Sequence, residues 1–252
     1  AVSVATSGYI TSTSGGSWTV TGAWTNDSTS ASWSFAAPIT FNAGANVTMT
    51  FAGTNLAGNE FDAATFNSTA AITYTMATRG LRLGGALSIS DTLTTVGLTT
   101  SNLAVTAGSV TIGTNGTLTA GSSTITVSGN WDSSAGTFTV GTSTVSLGAT
   151  ASIASAATSS FYNLTITVGT STPSNNIDVD NTFTISGGIY AKGTTTLNVD
   201  GGLTLSGGAI TSTSGAVTIT GAVNISNAAS YIDLGSESWT DSGTWTNPST
   251  TA

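Results

Sequence analysis

The side chains best placed to do chemistry are three aspartates, Asp178, Asp180 and Asp200. Asp180 and Asp200 fall at the same position of successive units of an internal repeat, so their carboxylates recur in one column. Stacked strands lie about 4.8 Å apart, which brings such a pair to roughly 5 Å. That separation suits the two carboxylates of a retaining glycosidase. A catalytic site of this kind usually enlists a basic residue as well, and the nearby candidate is the single Lys192. The same spacing suits an oxygen-ligated cation such as Ca²⁺, which would relieve the repulsion between like charges, with Asn176, Asn181 and Asn198 as further oxygen donors. A third reading needs no ligand: Asp180 and Asp200 accept hydrogen bonds from their own turn backbone ahead of Asn181 and Gly201, as Asx residues commonly do.

Little other chemistry is open to the chain. It has neither His nor Cys, which excludes Ser-His and Cys-His nucleophiles and the usual zinc sites. Glu60 with Asp62, and Asp233 and Glu237 with Asp241, form acidic patches expected to be solvated surface. The basic residues number three, Arg79, Arg82 and Lys192, against 11 acids, for a net charge of −8. Nucleic-acid binding needs clustered Lys and Arg and is not expected. No run of about 18 apolar residues is present, so no transmembrane helix is expected. The residues point to a protein that is not an enzyme, with Ca²⁺ as the one cofactor the acids would suit.

The elements that must position these aspartates are strands. Ser and Thr supply 90 of 252 residues and Gly another 31, yet only 6% are charged. Disordered chains of low charge also lack β-branched and aromatic residues, whereas Val, Ile, Thr, Phe, Tyr and Trp recur here throughout, so the chain should fold as β. Asn175–Thr194, Thr195–Ser214 and Gly215–Leu234 are three successive units of equal length. Laid in register they align Ile177, Leu197 and Val217; Val179, Val199 and Ile219; Phe183, Leu203 and Val223; and Ile185, Leu205 and Ile225. Apolar and polar residues alternate within each unit, which is the period of a strand with one buried face. A unit this short cannot bury that face alone, so the units must stack. The expected fold is an all-β, parallel β-solenoid over 91–252, with rungs of roughly 20 residues. Residues 1–90 show no fixed period and read as an irregular β region, either wider rungs or a small β-sandwich.

A second repeat joins the two ends. Ser17–Thr29 (SWTVTGAWTNDST) and Ser238–Thr250 (SWTDSGTWTNPST) agree at nine of 13 positions, with Trp18 and Trp24 spaced as Trp239 and Trp245. These Trp pairs can close the core, form a junction between subunits or stack on sugars. Open strand edges at both ends, including the strand-like Ala1–Thr13, are fit for β-augmentation. The chain begins at Ala1 with neither Met nor leader, which suits a mature exported protein, although an internal boundary would look the same.

Residues 129–145 (GNWDSSAGTFTVGTSTV), with FYNLTI at 161–166, resemble the Thr/Ser/Gly-rich repeats of β-helical secreted adhesins and surface-filament proteins of prokaryotes. The resemblance implies export and solenoid architecture and carries over no catalytic residue. The expected function is a structural subunit of an extracellular or cell-surface filament, joined head to tail with copies of itself through Trp18, Trp24, Trp239 and Trp245. The alternative is an adhesin stalk or a carbohydrate-binding surface protein that meets glycans or the cell surface.

Overall fold

The computed structural model describes residues 1–12, 15–157 and 159–247. The chain is an all-β parallel solenoid whose described residues contain one helical element, a short 3₁₀ turn at Gly53–Asn55. None of the described helices is long and apolar enough to cross a membrane. Two compact units divide the chain: residues 1–126 with 133–141, and 127–132 with 142–252.

In the first unit each complete turn has three short strands. One ladder runs through Trp18–Val20, Ile39–Ala43, Ala64–Ser68, Ala86–Ile89 and Ser109–Ile112, all parallel. A second runs through Val47–Met49, Ile72–Met76, Val96–Thr99, Gly116–Thr119 and Thr137–Thr139. The third side pairs Leu81–Arg82 with Val105–Ala107. Residues 1–90 are therefore wide parallel rungs, since a sandwich would pair its strands antiparallel. Trp18, Ile39, Ala64, Leu87 and Val110 stand in one column, and the rung from Ile39 to Ala64 is longer than those on either side of it. This drift is why no period shows in that part of the sequence. The irregularity expected there survives as two small separate sheets, Val2–Val4 with Trp24–Asn26 and Thr11–Ser12 with Ser34–Phe35.

Aromatic side chains fill the interior of this unit. Phe41 lies on Phe66 in register, with ring centroids 5.0 Å apart and planes 25° apart, while Trp24 meets Phe35, Phe41 and Phe61 edge-on. Outward positions of the same strands carry Thr and Asn, as in Ile39-Thr40-Phe41-Asn42, because a residue facing water gains nothing from apolar bulk.

The second unit is more regular. The long strand Ile177–Ile185 bends at its centre and pairs with two shorter strands of the next rung, Leu197–Val199 and Leu203–Leu205. Those continue to Ala216–Ile219 and Val223–Ile225, and then to Ser238–Asp241 and Trp245–Thr246. The opposite side stacks Ala151–Ser155, Thr170–Pro173, Gly188–Gly193, Gly208–Ser212 and Tyr231–Asp233. The four apolar columns read from the sequence are the observed register, and every member is buried. The ladder goes one rung further than the strict period: Trp239 follows Val217 and Trp245 follows Val223, across a slightly longer rung.

At the bend between the paired strands, Asn181, Gly201 and Gly221 lie above one another. A Cβ on Gly201 would come 1.9 Å from the Asn181 carbonyl oxygen, and one on Gly221 would come 2.4 Å from that of Gly201. Backbone cannot yield that far without opening the ladder, in which the Gly221 amide donates to Gly201 O at 2.8 Å. Gly221→Ala is expected to cost about 1–3 kcal/mol in urea unfolding, the range of an overpacked core.

Candidate functional site

Parallel pairing brings the three aspartates together on one outer face of the second unit. Asp178 is in register with Asn198, which places Asp180 and Asp200 one rung apart. Each of the three offers a carboxylate oxygen within 4.8 Å of the others. The Asn198 amide nitrogen lies among them, donating to Asp178 Oδ1 at 2.8 Å and Asp200 Oδ1 at 3.0 Å, and Ser160 Oγ donates to Asp180 Oδ2 at 2.8 Å. These acceptors serve neighbouring side chains, and two of the three bonds run between rungs, where the sequence led us to expect bonds to the turn backbone. Chemically the cluster offers outward carboxylate oxygens of the hard type that Ca²⁺ takes. Of the further donors expected for such an ion, Asn198 presents its nitrogen to the aspartates, and Asn176 Oδ1 accepts from the Thr196 amide at 2.9 Å. Asn181 donates to Asn163 Oδ1 at 2.8 Å. Lys192, the basic partner that catalysis would enlist, is wholly buried elsewhere.

Two carboxylates expected at the surface lie inside. Glu60 is fully buried in the first unit: Oε1 accepts from Trp24 Nε1 at 3.1 Å and Asn26 Nδ2 at 2.8 Å, and Oε2 accepts from the Ala52 amide at 2.9 Å. Trp33 Nε1 donates to its main-chain carbonyl at 3.0 Å. Burial pushes the Glu60 pKa from 4.5 up to about 7 against the pull of these donors, which favour the charged form. The sequence does carry a signal for this hub. Strand alternation in Trp24-Thr25-Asn26 turns Asn26 inward, and an inward Asn must find a partner.

Glu237 is the second correction. Its side chain and that of Lys192 have no exposure, and Nζ lies 2.8 Å from Oε2. Lys192 Nζ also donates to Thr195 O at 2.5 Å and Ser214 O at 2.7 Å, while Ser212 Oγ donates to Glu237 Oε2 at 2.5 Å. Glu237 Oε1 is buried with no hydrogen-bond partner among the described residues. The pair ties the segment ahead of Ser238–Asp241 to a strand two rungs earlier. Asp62, Asp233 and Asp241 do not share this burial.

The Trp motifs are alike in sequence but not in place. Trp24 is fully buried at the centre of the aromatic cluster, whereas Trp18, on the outermost strand of its ladder, is 37% exposed. Trp239 and Trp245 meet edge-on at 5.8 Å on the last described rung, Trp245 being 48% exposed. Pro248–Thr250, the end of the second motif, lie outside the described residues, as does Thr13 at the end of the first strand-like segment. Neither a protein-family model nor a curated protein nor a solved structure matches this chain.

Because the folded chain holds the Glu60 proton more tightly than the unfolded chain does, its contribution to stability is present below pH 4.5 and is lost as pH rises to about 7. The contribution amounts to roughly 3 kcal/mol. Urea unfolding between these limits should show that slope, and Glu60→Gln should flatten it; an unchanged slope would assign the titration elsewhere. Lys192→Met leaves Glu237 buried without its cation and should cost about 3–5 kcal/mol, most of it recovered when Glu237→Leu is added.

Proposed function

We propose that this chain is a structural, non-catalytic subunit of an extracellular or cell-surface fibre, built by end-to-end pairing of solenoid rungs. The observation that carries the reading is where apolar surface is left exposed. Of the six large hydrophobic side chains exposed among the described residues, four belong to the outermost rungs: Tyr9 and Trp18 on one, Tyr231 and Trp245 on the other.

The strands of these rungs are also open. Among the described residues Trp18–Val20 pairs only with Ile39–Ala43, and Tyr231–Asp233, Ser238–Asp241 and Trp245–Thr246 each have a partner on one side alone. An unpaired parallel edge with aromatic side chains is a template for another strand. Trp239 and Trp245 extend columns that bury Val217 and Val223 one rung earlier, so a rung added beyond them would bury the same face. A contact between unlike ends that does not close into a ring propagates as a filament. The sparsely charged, hydroxyl-rich composition and the likeness of residues 129–145 to secreted repeat proteins support a place outside the cell.

Sedimentation velocity and negative-stain imaging of the purified chain test the reading. Particles should lengthen with concentration, and Tyr231→Asp with Trp245→Asp should hold them at unit length while leaving the circular dichroism unchanged. A chain that stays monodisperse at high concentration, as an adhesin stalk would, overturns it.

A further inference from the structure

Lys192 is sealed inside its ion pair, so Arg79 and Arg82 are the whole of the accessible side-chain positive charge on a chain of net charge −8. Both line one open depression of about 340 Å³ on the first unit, together with Gly53, Thr78, Leu103 and Ala104. We infer that this depression is a binding site for the carboxylate of an acidic sugar, with Arg82 as the group that grips it.

The two arginines are differently committed. Arg79 Nε donates to Phe51 O at 3.1 Å, and Nη2 donates to Asn26 O at 3.0 Å and forms an ion pair with Asp27. That use fixes the guanidinium in the wall and leaves its Nη1 without a partner among the described residues. Arg82 spends one bond, from Nη1 to Leu56 O at 3.0 Å, and has no ion pair among the described residues. A guanidinium has five N–H donors, so four on Arg82 are left for a ligand. Strand alternation sends this side chain outward between the buried Leu81 and Leu83, so it has no part in the core.

The wall of the depression holds one strained residue: Thr78 has φ 74°, a region that β-branched residues rarely enter. Strain of this kind persists where the surrounding structure enforces it and clusters at ligand sites. On Gly53 a Cβ would stand 3.0 Å from both Arg79 Cβ and Gly80 O, so a side chain there would press on the segment that carries Arg79.

The ligand class follows from the lining. A planar fork of N–H donors matches a carboxylate in bidentate geometry. Leu103 and Ala104 offer an apolar face, which a sugar ring meets with its C–H groups and a bare inorganic anion does not. The volume lies at the small end of ligand sites and holds about one ring.

Isothermal titration of the full chain with trigalacturonate, its neutral counterpart galactotriose and inorganic phosphate tests the assignment. Saturable binding of trigalacturonate is expected, with no binding of galactotriose. Arg82→Gln should weaken the affinity about tenfold or more with the thermal midpoint unchanged. Arg82→Lys, which keeps the charge without the fork, should also bind several-fold more weakly. No binding of trigalacturonate, equal affinity in either Arg82 variant, or phosphate bound as tightly as the uronate would overturn it.

Discussion

The parallel hydrogen-bonded ladder between rungs is the constraint on which everything else rests. A single rung here is a few short strands, with no second layer to cover its inner face and no partner for the backbone groups that point along the stack. Only the next rung supplies both. The bonds from Asp200 N to Val179 O and from Thr220 N to Val199 O, each 2.9 Å, are steps of one such ladder. Because pairing is parallel and in register, each side chain sits above its counterpart one rung earlier. Inward columns are therefore largely apolar, and Gly201 and Gly221 keep the bend column above Asn181 narrow.

Stacking in register also explains the few buried charges. A polar side chain on an inward position cannot turn to solvent without breaking two ladders, so it must be satisfied inside. Glu60 is met by donors from Trp24, Asn26 and Ala52, and these tie segments distant in sequence to one carboxylate. Lys192 and Glu237 answer the same need as an ion pair, with Ser212 and two backbone carbonyls completing most of the bonds. On the outside the same stacking brings like charges together, and there an amide serves: Asn198 donates to the aspartates on either side of it.

Among the described residues the strands of the outermost rungs are paired on one side only, and exposed aromatics lie there. Turns lack ladder bonds and can adopt conformations such as that of Thr78, which lines the depression together with Arg79 and Arg82.

The sequence by itself determined the strand character, the stacking and, in the second unit, the register, because a strict period lets identical alternation be read from Ile177 to Ile225 without knowing any contact. It also brought Asp180 and Asp200 together, since register alone does so. Only the tertiary structure decided residues 1–90, where rungs of unequal length hide the period although the pairing is the same. Only it showed that Glu60 and Glu237 are buried and that Trp24 lies in the core while Trp245 is half exposed. Those fates depend on which distant segment lies on the next rung, and a charged or aromatic letter reads the same in either setting.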